Sequence, residues 1–190
     1  MSCQYPSLIN MKNIVTLCKT LLVSTGLCLF AVPATYTLVL AQPPRLLSAT
    51  TTYNQTSAWE ATYYFTLTVP ESASTPLRQL AFTQIQGLEG ISFDSQHSFA
   101  FLGTRDRKGE KLGITLANSD RQNRTVIVTF DQPVAAGKTI TIGLKPLRNP
   151  AYDGVYQFQV QTLPTPTDKQ TTNQIIGTAR LQFYGVAGNE

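Results

Sequence analysis

Sulfur is confined to the start of the chain. Cys3, Cys18, Cys28, Met1 and Met11 are its only cysteines and methionines. Beyond residue 28 there is therefore no disulfide, no thiolate nucleophile and no cysteine metal site. None of the sulfur that oxidation attacks readily is present there either. Histidine is nearly as scarce, with His97 alone. Zinc and copper sites draw on several His or Cys ligands, so metal carriage by such ligands is not expected. A Gly-x-Ser-x-Gly elbow is also missing, as are a phosphate-cradling glycine loop and a dinucleotide fingerprint. These absences imply no cofactor. ANSDRQNR at 117–124 lacks the alternating oxygen ligands and terminal Glu of a calcium loop. It reads as a hairpin tip, with a non-standard calcium site through Asp120 and Asn123 as the alternative.

Charge is absent from Thr20 to Gln42, although Lys12 and Lys19 precede that stretch. Leu21 to Val32 (LLVSTGLCLFAV) is almost wholly apolar, and Pro33 ends it. A basic start, a short apolar run and Val39-Leu40-Ala41 before Gln42 form a secretory signal pattern. The expected cut follows Ala41, leaving 42–190 as a single domain. An uncleaved anchor is the rival, but Pro33, Thr35, Tyr36 and Thr37 interrupt the roughly 20 apolar residues that a spanning helix needs. Met11-Lys12 also reads as a natural start. No small-residue lipobox precedes Cys18 or Cys28. The expected destination is the periplasm, the outer membrane or the exterior, with no transmembrane segment after cleavage.

Lys12 and Lys19 lie before the cut, so 13 of the 15 basic residues remain against all 11 acidic ones. The balance falls from +4 to +2, without the concentrated basic face of a nucleic-acid binder.

What fills the remainder is period-two alternation. In TYYFTLTV at 62–69, Tyr63, Phe65, Leu67 and Val69 share one face. TVIVTF at 125–130 and TITIGL at 139–144 repeat the pattern, and Tyr156, Phe158 and Val160 oppose three glutamines. Weaker strands are expected at Leu47–Tyr53, Gln79–Ile85, Gly90–Phe93, Phe99–Phe101, Gly113–Leu116 and Ala179–Tyr184. The segment 77–85 is also the best candidate for a short turn of helix. Some nine strands with one apolar face each predict an all-β, antiparallel two-sheet sandwich. It would have immunoglobulin-like architecture without the disulfide; a closed barrel is the alternative.

Several clusters are candidate sites. Arg105, Arg107, Lys108 and Lys111 outnumber Asp106 and Glu110 in a glycine-containing link. The simple reading is a solvated hairpin between 99–102 and 112–116. The functional reading is a patch for anionic glycans, lipid headgroups or an acidic partner, because clustered cations create a local field. Asp94, His97, Ser95 and Ser98 formally contain a hydrolase triad, but sequence neighbours rarely aim at one point. Paired carboxylates could hydrolyse glycosides, and Glu60, Glu71, Glu89, Asp94, Glu110 and Asp153 are the candidates. Trp59, Tyr53, Tyr64 and Tyr152 could stack on sugars, or simply cover the core. Arg148, Asn149, Pro150, Asp153 and Gly154 form a structural turn cluster, rich in turn signals, in which an Arg148–Asp153 ion pair is expected to tie two turns together.

Longer segments carry a resemblance. TYNQTSAWEATYYFTLTVPESASTPLRQLAF at 52–82, ISFDSQHSFAFLGTR at 91–105, VIVTFDQPVAAGKTITIGLKPLRNPAYDGVYQFQVQTLP at 126–164 and GTARLQFYG at 177–185 resemble a family of exported cyanobacterial proteins classified as a domain of unknown function. The resemblance implies a secreted all-β domain after a signal peptide. It implies no activity and supplies no catalytic residues. The leading expectation is a non-catalytic binding or structural module of the cell envelope, with a glycan or a protein as partner. The alternatives are a carboxylate-dependent hydrolase of envelope polysaccharide and a surface-assembly subunit using strand addition.

Overall fold

The computed structural model describes residues 41–118, 124–164 and 172–185. Residues 1–40 of the expected signal segment, and Asp120 and Asn123 of the expected hairpin tip, lie outside them. Ten strands and no helix appear among the described residues. They are β1 (Arg45–Thr51), β2 (Tyr63–Thr68), β3 (Leu77–Gln86), β4 (Phe93–Thr104), β5 (Arg107–Leu112), β6 (Ile114–Asn118), β7 (Thr125–Val134), β8 (Thr139–Pro146), β9 (Gly154–Thr162) and β10 (Gln174–Phe183). One sheet runs β1-β2-β8-β4-β5 and the other β10-β9-β3-β7-β6, each antiparallel throughout. The sheets face each other as a sandwich and do not close into a barrel.

The alternation sets the register. Tyr63, Phe65 and Leu67 of β2, Ile140, Ile142 and Leu144 of β8, and Tyr156, Phe158 and Val160 of β9 are all buried in one core. A one-residue slip would turn each of these sets to the opposite face. Rings pack across the two sheets: Phe65 meets Phe82 of β3 at 4.8 Å, and Tyr63 meets Phe158 at 6.4 Å. Burying each such side chain stabilises the fold by about 1.5–3 kcal/mol.

Four expectations change. Residues 77–85 form no helical turn; they lie within β3, where Leu77, Leu80 and Phe82 are buried. Of the segment expected at 90–93 only Phe93 is in a strand, and it shares β4 with the segment expected at 99–101; that strand bulges between Asp94 and Phe99. The link 105–111 contains β5, so the hairpin pairs 93–104 with 107–112. Its partner is not 112–116. The first strand ends at Thr51 rather than Tyr53, and Thr52 opens the loop to β2.

β5 and β6 are nearly continuous, and Gly113 between them carries the chain from one sheet to the other. Its carbonyl accepts the Asp131 amide at 3.0 Å, and Asp131 fills the space a Cβ would need. On the opposite flank, Leu46 of β1 packs on Gly177 of β10. The strands also define two ends. Residues 41–44 lie beside 73–78, Thr162 and Gln174 at one end. The 52–62, 87–92 and 147–153 connections share the other.

Gly143 accommodates a ring on the outer face of β8. A Cβ there would lie 2.6 Å from Phe99 Cζ. Gly143→Ala is expected to cost about 1–3 kcal/mol, as overpacking does. Adding Phe99→Leu should recover part of that loss, measured by urea unfolding of the single and double variants.

Candidate functional site

The end formed by the three connections is organised by Asn149. Its side chain is fully buried, and a buried amide must find partners for both polar atoms. Its Oδ1 accepts from the Tyr63 hydroxyl at 2.9 Å. Its Nδ2 donates to the carbonyls of Tyr53 (3.1 Å) and Gln55 (2.7 Å). The Asn149 backbone amide donates to the Ala58 carbonyl at 2.8 Å. Ser57, in the left-handed region at φ 59°, donates its amide to the Pro150 carbonyl. Thr56 and Asn54 exchange backbone bonds with Tyr184. The 52–62 loop is thus held by the 147–153 connection and the end of β10. Burial is the main reason the Tyr63 hydroxyl titrates far above the ordinary phenol range, with Tyr156 and Glu89 adding to it.

A second tie crosses from the 87–92 loop. Glu89 Oε1 accepts from Arg148 Nη2 at 2.6 Å, and Oε2 accepts from the Ala151 amide at 2.7 Å. This replaces the expected Arg148–Asp153 pair. Asp153 is exposed, and the third strand of the other sheet delivers Glu89 to Arg148 instead. Gln84 holds that loop in shape: its Nε2 donates to the Glu89 carbonyl and its Oε1 accepts from the Ile91 amide. Tyr156 donates its hydroxyl to the Tyr152 carbonyl four residues back at 3.1 Å, a hydroxyl-to-backbone return like the tyrosine corner of sandwich domains. Sequence alone does not mark Glu89 as a structural tie, because its partners lie 59 and 62 positions further along the chain.

Large side chains project from this fixed frame. Trp59 is 71% exposed and Tyr152 59% exposed. Tyr53, Leu147, Leu88 and Tyr184 are exposed at the same end. Three of the four sugar-stacking candidates therefore lie on the rim formed by these connections. The fourth, Tyr64, lies on the outer face of its sheet, 6.0 Å from Phe99. Lys145 on that face links the two regions by donating Nζ to the Trp59 carbonyl at 2.7 Å. Beneath the rim, Ile91, Ser92, Leu147 and Pro150 border a shallow depression beside the Glu89–Arg148 pair.

The formal triad resolves into the bulge of β4. Asp94 Oδ2 meets His97 Nδ1 at 2.7 Å, while Oδ1 accepts the Gln96 and His97 amides. Ser98 Oγ donates to the Asp94 carbonyl and accepts the Lys145 amide. That hydroxyl is committed to the backbone. The hydrogen bond from His97 is the largest cause holding the Asp94 carboxyl below its ordinary value. Among the described residues, no three His, Cys, Asp or Glu side chains gather as metal ligands. Glu110 and Asp131 border one depression beside Gly113; both are exposed, as are Glu60, Glu71 and Asp153.

The basic cluster sits on the β4–β5 hairpin. Arg105 and Asp106 form its turn, and Arg107, Lys108 and Lys111 lie on β5. Arg105 Cζ is 4.9 Å from the centre of the Tyr64 ring, and Lys108 Nζ is 5.8 Å from that of Phe101.

A family model described as a protein of unknown function (DUF2808) matches residues 35–183, and the chain belongs to that family. The match begins six residues before the expected last residue of the signal segment. No curated protein matches the chain.

Asn149→Ala is expected to destabilise the fold by about 2–4 kcal/mol, since it orphans the buried Tyr63 hydroxyl. Hydrogen exchange should show faster opening of residues 53–58. Arg148→Ala should cost about 1 kcal/mol or less, because its pair with Glu89 is partly exposed. Asp153→Ala should stay within about 0.5 kcal/mol of the parent. Asp94 is held below the ordinary carboxylate range, first by the hydrogen bond from His97. Its contribution is therefore present above the ordinary value and lost as pH falls through the lower folded one. Thermal melts below about pH 4 should decline more in the parent than in Asp94→Asn.

Proposed function

We propose that this DUF2808 domain is exported and acts as a non-catalytic binding module of the cell envelope, with a glycan or a protein as its partner. The signal pattern ending at Ala41 supports export to the periplasm or the outer surface. Freedom from cysteine beyond residue 28 suits an oxidising compartment.

The observation that carries the binding reading is the rim. Trp59 and Tyr152 are large, exposed and mounted on connections whose backbones are fixed by Asn149 and Glu89. Tryptophan and tyrosine are favoured binding anchors because they present much apolar area together with a polar tip. A fixed backbone removes part of the ordering cost that a mobile loop would meet on binding. The carboxylates of Glu89 and Asp94 are engaged with neighbours that shape the loops. A polysaccharide hydrolase built on carboxylates would draw on Glu110 and Asp131, which share one depression. Release of reducing ends that disappears in Glu110→Gln would favour that second reading.

The purified protein should be retained on envelope fractions, and Trp59→Ala with Tyr152→Ala should weaken retention at least tenfold without lowering the melting temperature. No retention of the parent at low or high salt, or equal retention of the double variant, would overturn the binding reading.

A further inference from the structure

The rim leaves the basic hairpin unexplained. A charged edge strand has a plain structural use, since lysines on an edge discourage strand addition. That use requires charge at the edge and nothing more. The arrangement here has further features.

First, the cations are not neutralised locally. Asp106 and Glu110 are interleaved with Arg105, Arg107, Lys108 and Lys111, yet none of the four cations makes an ion pair with another described residue. Second, two of them are held against aromatic rings. Arg105 lies over Tyr64 and Lys108 over Phe101. Such contacts orient a cation while leaving its hydrogen-bond donors available.

Third, the sheet supplies a row of rings beneath them. Tyr64 and Phe99 meet edge to face, and Phe99 stacks with Phe101 at 6.2 Å and 19°. The row crosses β8 at Gly143, where the missing side chain admits the Phe99 ring. Fourth, the register aims the strand. Lys111 pairs with Phe101 and Lys108 with Gly103, so both lysines share the outer face with the rings. A bulge between Phe101 and Gly103 makes this possible. Gly103 sits at φ 93°, and a Cβ there would strike the Arg107 carbonyl. Bulges of this kind re-aim side chains.

We propose that the outer face of the β2–β8–β4–β5 sheet is a second binding site, for an anionic polysaccharide bearing carboxylate or sulfate groups. Arg105, Lys108 and Lys111 take the anionic groups, and Tyr64 and Phe99 offer ring faces to the sugars. Charge complementarity selects the sign of the ligand. A row of rings along a sheet suits a linear polymer better than a bilayer, because the hairpin turn, Arg105-Asp106, is polar and offers no apolar side chain to insert. The site does not depend on the rim, and the two could hold different ligands.

The test uses the full chain with heparin and polygalacturonate as probes, dextran as the neutral control and anionic phosphatidylglycerol vesicles as the membrane arm. Binding to at least one polyanion is expected at low salt, weakening steeply as salt screens the charges. Arg105→Gln/Lys108→Gln/Lys111→Gln should weaken it more than tenfold. Asp106→Asn/Glu110→Gln should tighten it, which guards against a loss caused by misfolding. Trp59→Ala should leave it unchanged, separating this site from the rim. Tyr64→Leu should weaken polyanion binding at least threefold. No polyanion binding, unchanged affinity in the triple variant, or tighter binding to vesicles than to either polyanion would overturn the proposal.

Discussion

A carboxamide sealed from water must satisfy its donors and its acceptor within the protein, and Asn149 meets that demand by drawing on β2 and the 52–62 loop. Its partners are the hydroxyl of Tyr63 and the carbonyls of Tyr53 and Gln55. Each bond alone is worth about 0.5–1.5 kcal/mol net, but losing a partner exposes the rest to the full cost of burial. The end of the sandwich is therefore held together cooperatively. The 52–62 loop has few buried apolar side chains of its own, with Ala61 one of them. Its shape depends on those carbonyl bonds and on the backbone exchange with Tyr184.

This dependence explains what the amino-acid order disclosed and what it concealed. Strands with one buried face write their own pattern, and Tyr63 to Val69 could be read directly. β5 could not, because all its residues but Leu112 are exposed and it has no apolar alternation to display. β3 invited a helical reading because Ala81 and Phe82 are buried in succession, which breaks period two. Asn149 was legible as a turn residue, since Asn-Pro is a local signal. Its role as a hub was not, because its side-chain partners lie 86, 94 and 96 positions away. The Arg148–Asp153 expectation failed for the same reason: proximity in sequence lost to a carboxylate delivered by another strand.

The candidate surfaces divide along the same line. Tyr53, Trp59 and Tyr152 were recognisable one by one as aromatic residues near strand ends, but their placement on one rim is a product of loop docking. The cations of the β4–β5 hairpin were visible as a charge cluster. The rings beneath them come from β2 and β4, and only sheet order brings Tyr64 next to Phe99 across Gly143. Alternation says which residues face outward; it cannot say which outward residues become neighbours.

The placement of the two ends sets a distance. Residues 41–44 lie at the end opposite the rim, and β1, seven residues long, spans the interval between them. At about 3.3 Å per residue, that is roughly 20 Å. That length keeps the two ends of the domain apart. Residues 41–44 thus lie about one strand length from the aromatic rim, on the far side of the domain. A ligand on the rim and an attachment at the other end could be occupied together without competing for room.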